Sequence, residues 1–365
     1  WSSDVCSSDL ARGLALLGGL GPFASLWRSL GRHFQDPRLR QLFARYATYC
    51  GGSPWEAPAT LALIAYVEMR GVWAAEGGMQ AVAARLERAA RKLGVVLRLG
   101  LGVRQIEVNA GRASGVTLDD GTALAADALI FNGDAQALAG GLLGAAARGA
   151  VRSNGIQPRS LSALTWAIHG TAEGFPLSYH NVFFQPDYQS EFDDVFGHAR
   201  LPRKPTLYLC AQARANGHHV AAGQPEPLFC LINAPARGDQ SALAEEEIEQ
   251  CTTTAFNHLQ RCGLTIHAPT TARLCTTPQQ FHQRFPASGG ALYGMAPHGW
   301  MSSFRRPSAA TPIPGLFLAG GSAHPGAGVP MATLSGRLAA ATLMAHLDST
   351  RRSARVRISG GMSTA

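Results

Sequence analysis

Residues 315–340 read GLFLAGGSAHPGAGVPMATLSGRLAA. After Gly315 comes a short apolar strand, then a glycine-rich turn, then helical spacing through Leu334, Leu338 and Ala341. Gly320 and Gly321 let the backbone approach a ligand closely. Pro330 suits the first helical position, and free N–H groups near Val329 and Met331 aim the positive end of the helix into the turn. Such a turn cradles a phosphate or a cofactor and usually opens a nucleotide-binding domain, yet here only a few dozen residues follow it. Gly326-Ala327-Gly328 begins like G-x-G-x-x-G, but the sixth residue is Met331 and no second strand with an acidic ribose ligand follows. That dinucleotide fingerprint is absent here and elsewhere in the chain.

A chain of 365 residues, 46% hydrophobic and 15% charged, is globular and long enough for two domains with a core each. Its net charge of +8 suits an acidic ligand, an anionic membrane face or nucleic acid. No basic block interleaved with aromatics is present, which makes nucleic acid the weakest of the three. Seven cysteines without a C-x-x-C spacing argue against a zinc site and a disulfide framework, and fit a reducing compartment. No apolar run reaches the roughly 20 residues needed to span a bilayer. The nearest, residues 10–27, is interrupted by Arg12, Gly18, Gly19, Gly21 and Pro22 and reads as an interfacial or core segment. The opening decamer, WSSDVCSSDL, repeats Ser-Ser-Asp, lacks an initiator Met and reads as foreign to the protein.

Residues 11–75 are expected to be helical, with loops at Gly31 and at 51–58, and ATLALIAYVEM (59–69) reads first as a core helix. EGGMQAVAARLERAARKLG (76–94) sets Met79, Val82, Leu86, Ala90 and Leu93 on one helical face and ends at Gly94. Strands are expected at 95–99, 103–108, 115–118 and 128–132, with turns at 109–112 and 119–121. Between 155 and 236 four strand-like stretches form the sheet of a second domain, followed by an acid-headed helix at 245–263. The pattern is a mixed α/β domain carrying a β-meander, joined to a sheet-plus-helices domain.

GALYGMAPHGWMSSFRRP (290–307) followed by the turn quoted above resembles the C-terminal signature of bacterial carotenoid desaturases, the phytoene desaturase family. Further similarity lies in FQDPRLRQLFARYATYCGGSPWEAPATL (34–61), EGGMQAVAARL (76–86), GVTLDDGTALAADALIFNGDAQAL (115–138) and LFCLINAPA (228–236). Together these cover most of residues 30–347 in family order. The nearest likeness is to the hydroxyneurosporene or methoxyneurosporene desaturase branch, which introduces the 3,4 double bond into 1-hydroxy or 1-methoxy carotenoids.

The resemblance implies an α/β (mixed α+β) flavoprotein of the FAD/NAD(P)-binding, amine-oxidase-like fold, lacking its N-terminal dinucleotide-binding segment. Residues 1–10 are then a non-native leader, 11–75 a helical substrate- or membrane-facing segment and 76–140 the first part of the FAD-binding domain. A substrate domain occupies 141–285, the closing part of the FAD-binding domain 286–348, and a basic disordered tail 349–365. FAD contacts are implied at Gly77 and Gly78, at Val103 facing the adenine, and at Asn132 and Asp134. They continue at Gly320, at Gly321 and Ser322 on the pyrophosphate and ribityl chain, at His324, and at Val329, Pro330 and Met331 on the flavin ring. Reduced flavin gathers negative charge at N1 and O2, which that helix end would favour.

The cofactor accepts hydride while the polyene spreads the developing cation, and no catalytic base is assigned. His298 and His324 read first as turn histidines bonded to backbone, with His324 nearer cofactor than substrate. Arg45, Tyr46 and Tyr49 would line a substrate tunnel or read a terminal hydroxyl; packing with a solvated Arg45 is the stronger alternative. Arg305 and Arg306 divide between surface charge and neutralisation of the pyrophosphate. No metal site is expected, because His218-His219 lacks a third ligand. The expected partners are a carotenoid and a membrane surface, with peripheral attachment to the cytoplasmic side of the inner membrane. A flavin amine oxidase and a non-catalytic remnant stay open as alternatives. With the N-terminal phosphate cradle missing, the resemblance implies a truncated copy, and this 365-residue chain is expected to hold FAD weakly or not at all. Purified protein that carries stoichiometric flavin absorbance would refute that.

Overall fold

The computed structural model describes residues 23–151 and 158–356. The leader at 1–10, most of the apolar stretch at 10–27 and residues 357–365 of the tail lie outside them. Helices α1 (Leu26–His33), α2 (Pro37–Ala44) and α3 (Leu63–Met69) come first, with 3-10 helices at Arg45–Cys50 and Ala59–Ala62. Helix α4 (Gly78–Lys92) leads into strands β1 (Val103–Asn109), β2 (Arg112–Leu118), β3 (Ala123–Ala125) and β4 (Leu129–Phe131), then helix α5 (Ala135–Ala139). The middle of the chain holds β5 (Ser162–Glu173), β6 (His180–Phe183), α6 (Tyr188–Phe192), β7 (Leu207–Ala211) and β8 (Glu226–Ala234). It continues with α7 (Glu245–Arg261), β9 (Thr265–His267), β10 (Arg273–Thr276) and α8 (Pro278–Arg284). Strand β11 (Leu316–Leu318) and helix α9 (Val329–Val356) follow.

Three sheets organise these elements. An antiparallel sheet in the order β10-β5-β8-β7-β6, with β9 on the far end of β5, forms the larger unit. Helix α7 lays Cys251, Ala255 and Leu259 against its buried face, where Leu164, Leu207, Leu209 and Ile232 sit. The smaller unit is the antiparallel meander β1-β2-β3 beside a parallel pair, β4 with β11. Its core joins Ile106, Leu138, Leu316 and Leu318 to Leu143, Ala147 and Ala150, so it runs past residue 140, the boundary expected from sequence. A third, aromatic core gathers α1, α6 and the turn around Trp55, with Trp27 stacked on Trp55 at 4.6 Å.

Four expectations change. Residues 95–99 pair with no strand among the described residues and are irregular, because an isolated strand has nothing to take its N–H and C=O groups. Gly31 lies inside α1; the break falls at Asp36, which caps α2 by accepting from the Arg38 N–H at 2.8 Å, with Pro37 at the first helical position. A side chain at Gly31 would press on the Arg40 guanidinium, which donates to the Trp27 carbonyl from across the gap. Helices α3 and α4 form, but neither buries a residue: Leu63, Tyr66 and Val67 of α3 and Met79 and Leu86 of α4 face solvent. Periodicity identifies the apolar stripe, whereas burial needs a partner. The tail is helical as far as Val356, since no Gly or Pro interrupts the chain between Gly336 and Gly360.

Candidate functional site

Strands β4 and β11 run parallel, Leu129 beside Leu316 through to Phe131 beside Leu318, so the chain leaves both at the same end. Ligands of open α/β sheets bind outside the carboxyl ends of parallel strands, and a cavity of about 760 Å³ lies there. It falls within the roughly 300–1,000 Å³ of small-molecule sites. One wall is the start of β1, Gly102 to Arg104 (102–104). Another is 131–134 at the end of β4, and the rest includes Tyr293, Gly294, Gly321, Ser322 and the end of α8.

Glycine contacts and a few hydrogen bonds hold these walls together. The Ser322 hydroxyl accepts from the Ala135 N–H at 3.2 Å and donates to the Gly133 carbonyl at 3.3 Å, tying the two strand ends. Gly320 has φ +109°, and a Cβ there would lie 2.8 Å from Asn132 Nδ2. The glycine is needed to press the turn against Asn132. Gly294 (φ +71°) likewise lets its loop touch Ser322, where a Cβ would come to 3.0 Å. Asp134 caps α5, accepting from the Gln136 N–H at 2.9 Å. Burial pushes its carboxyl up, against that bond and the Arg159 and Arg306 charges.

Behind Gly321, Arg306 is only 9% exposed and makes no carboxylate contact among the described residues. Its Nη1 donates to the carbonyls of Tyr293 (3.0 Å) and Gly321 (2.6 Å), and its Nη2 to Tyr293 (3.0 Å) and Met295 (2.9 Å). One planar fork thus clamps the turn after β11 to the 293–295 loop. Burial lowers its affinity for a proton, with Cys50 and Asp134 opposing. Arg305 is exposed.

The cavity brings together Val103, Asn132, Asp134, Gly321 and Ser322. It does not include Gly320, which packs on Asn132 from behind. Gly77 and Gly78, both exposed with φ of 79° and 70°, serve the left-handed entry to α4. His324 is exposed and its backbone N–H donates to the Pro307 carbonyl at 2.8 Å. Val329, Pro330 and Met331 open α9 to solvent and do not line the cavity. The helix end read as a ring-binding contact therefore stands outside it, because the turn from 322 to 328 carries the chain away before the helix begins.

Of the substrate candidates, Tyr46 donates to Glu68 Oε2 at 2.6 Å, and Tyr49 is half exposed and edge-on to Tyr46. Arg45 is buried rather than solvated, since a 3-10 helix replaces the α-helix assumed from sequence and turns it inward. Tyr293 and Phe281 were not singled out from sequence. Tyr293 stands in the quoted GALYG stretch, but only the fold turns it to the cavity.

His298 is a backbone splint. Its Nε2 accepts from the Ser53 N–H at 3.1 Å while its Nδ1 pairs with Glu56 Oε2 at 2.6 Å, so the proton sits on Nδ1. Burial holds its proton affinity below the ordinary value of 6.5, with Glu56 opposing. The unfolded chain therefore binds the proton first on acidification: stability is full above that value and is lost as pH falls toward the folded one. His298→Gln can keep both bonds without titrating. The loss of melting temperature between about pH 7.5 and about pH 5.5 is expected to be smaller in His298→Gln than in the parent, read by circular dichroism. Equal losses would remove His298 from the acid response.

The family described as flavin containing amine oxidoreductase matches residues 5–344. Hydroxyneurosporene desaturase of Rubrivivax gelatinosus is 57% identical over 354 residues, which is 97% of this chain and 67% of that protein. Hydroxyneurosporene desaturase of Cereibacter sphaeroides is 46% identical over 338 residues, 93% of this chain and 66% of that protein. The chain spans about two thirds of the length of these curated relatives. Among solved structures, an oxidoreductase from Methanosarcina mazei superposes with a TM-score of 0.55 at 18% identity, over 88% of this chain and 70% of that one. That likeness concerns the fold, mixed α/β as the sequence pattern implies. The chain belongs to the flavin-containing amine oxidoreductases and, within them, to the carotenoid desaturases, as a close homologue of the hydroxyneurosporene desaturases.

Proposed function

We propose that the protein carrying this sequence is an FAD-dependent desaturase that introduces the 3,4 double bond into 1-hydroxy or 1-methoxy carotenoids. The observation that carries the reading is the cavity at the carboxyl ends of β4 and β11, built from the segments shared with those desaturases. The residues present fit part of a dinucleotide: glycines bring the loops of the walls together, and a buried guanidinium with no carboxylate partner among the described residues stands behind Gly321. Val103 would meet the adenine end. Asn132 and Asp134 would meet the adjoining sugar, and Gly321 and Ser322 the pyrophosphate and ribityl chain. FAD supplies the hydride acceptor for removal of two hydrogens from adjacent carbons. Arg306 holds the two loops at fixed spacing and lends positive charge to that wall. His298 is not the base, because both its ring nitrogens are already engaged.

A polyene substrate dissolves in bilayers, and α3 with the segment after it presents Val67, Met69, Val72 and Trp73 outward, Trp73 at 83% exposure. No helix among the described residues is long and apolar enough to cross a membrane. This apolar patch is the surface by which the protein rests on lipid and collects its substrate. Flavin-loaded protein is expected to convert a 1-hydroxylated acyclic carotenoid to a product longer by one conjugated double bond, read by its red-shifted absorption. Oxidation of a soluble amine instead, with no polyene product, would replace this reading. In sedimentation with anionic vesicles, Val67→Glu with Trp73→Glu is expected to move most of the bound protein to the supernatant; unchanged binding would dismiss the patch.

A further inference from the structure

Another cavity, of about 550 Å³, opens on the first two helices, α1 and α2. Arg28, Arg32 and Arg40 line it, with Trp27 and Trp55 beside them, and no carboxylate does. Arg28 and Arg32 stand one turn apart on α1, both exposed. Neither guanidinium has a hydrogen-bond or ion-pair partner among the described residues. Like charges at that spacing destabilise a helix. Asp36, the one acid between Leu26 and Ala44, is taken by Arg38 at 2.7 Å, and Glu56, next to Trp55, by His298 at 2.6 Å. Arg40, by contrast, is built into the wall. Its Nε and Nη2 donate to the Trp27 carbonyl at 3.0 and 2.8 Å, and its guanidinium lies 4.0 Å from the centre of the Trp27 ring. The missing side chain at Gly31 makes room for it, since a Cβ there would come to 3.0 Å from Arg40 Cζ.

This basic groove shares one packed unit with the apolar patch of α3. The Leu26 N–H donates to the Ala57 carbonyl at 2.8 Å and the Ala59 N–H to that of Ala24 at 3.0 Å, which fastens the start of α1 to the chain leading into α3. Leu61 and Ala62 pack on the core that holds Leu26 and Leu30, and α3 begins at the next residue, Leu63. Exposed aromatic rings flank the groove as well. Phe23, two residues ahead of Ser25 in its wall, meets Trp300 edge-on with ring centres 5.2 Å apart, and both are exposed. The Gly299 N–H donates to the Glu56 carbonyl at 2.9 Å and so ties the Trp300 turn to the residue after Trp55. Cations without acids, bordered by exposed Trp and Phe, are the composition of a protein surface at the headgroup level of a bilayer.

We propose that the groove between α1 and α2 binds the phosphate of an anionic phospholipid headgroup, gripped by the guanidiniums of Arg28 and Arg32 against the fixed charge of Arg40. The inference rests on the reading of α3 as a lipid-facing surface given above, and it names the lipid class that surface selects. A guanidinium offers two parallel N–H donors at the spacing of two phosphate oxygens, a match an ammonium lacks. A bound phosphate also relieves the repulsion between Arg28 and Arg32, which no acid of the chain relieves among the described residues. A free phosphate would satisfy the same donors, but it gives the exposed rings of Phe23 and Trp300 nothing to rest on. A lipid supplies both, the anion to the groove and the acyl boundary to the rings. Gripping a headgroup on α1 while α3 lies in the acyl region fixes one orientation of the protein on the membrane.

The test uses the full 365-residue chain and binding alone, so that flavin loading does not enter. Sedimentation is measured with vesicles of phosphatidylcholine, and of phosphatidylcholine with one third phosphatidylglycerol, at roughly 0.1 M salt, where distant charges are screened. The parent is compared with Arg28→Gln/Arg32→Gln, with Arg28→Lys/Arg32→Lys and with Arg85→Gln/Arg88→Gln, whose two arginines are exposed on α4. Phosphatidylglycerol is expected to strengthen binding of the parent, and Arg28→Gln/Arg32→Gln to lose roughly 10- to 30-fold in partitioning onto those vesicles. The Lys pair, with charge unchanged, should recover only part of that loss, and the α4 pair should bind as the parent does. Equal losses in the α1 and α4 pairs mark diffuse attraction and overturn the inference, as does a Lys pair equal to the parent. Release of the parent from the vesicles by millimolar inorganic phosphate assigns the groove to the free anion and overturns it too. A parent that binds both vesicles equally removes the groove and leaves the apolar patch standing; one that binds neither removes both.

Discussion

Two three-residue strands, β4 and β11, lie side by side in parallel, and the cavity exists because of that pairing. Antiparallel strands would send their outgoing loops to opposite ends of the sheet. Parallel ones deliver 132–134 and 320–322 to the same end, although Ala135 and Ser322 are 187 residues apart in sequence. Closing so long a loop carries an entropic cost that three ladder positions alone would not offset. Burial of Leu316, Phe317, Leu318 and Ala319, the Ser322 bridge and the Arg306 clamp supply the rest.

Two buried guanidiniums show how differently one side chain can be used. Arg306 spends its Nη donors on three main-chain carbonyls and thereby converts loops into walls. Arg45 finds no such outlets at Nε and Nη1 among the described residues, although it is 7% exposed. A cation held by carbonyls is structural, because removing it leaves several acceptors stranded. A buried cation whose donors find no such carbonyls costs stability instead.

The apolar surfaces of the smaller unit follow from the same accounting of partners. Met79, Leu86 and Leu93 line one side of α4 and its end, and Val329, Leu334 and Leu338 lie along α9; all are exposed. Their spacing is that of helices made to pack, and their contribution to stability depends on what covers them. The larger sheet is different: β5 and β8 sit in its interior, and its side chains supply the burial the unit needs within the chain itself.

Local chemistry was legible wherever neighbouring residues decide the outcome. The helix at 78–92 ending before Gly94, the hairpin through Ala110 and Gly111, the acid-headed helix at 245–261 and the glycine turn after β11 all follow from periodicity and turn residues. So did the family, since its motifs are contiguous strings. What the chain could not declare in one dimension was which faces find partners. The strand expected at 95–99 has no neighbour, Arg45 turns inward on a tighter helix than assumed, and the start of α9 is carried away from the turn that precedes it. Burial, and with it the division of polar groups into satisfied and idle, depends on contacts between residues distant in sequence. Sequence alone therefore determined the elements and their kinship, and tertiary structure decided which side chains face the cavity.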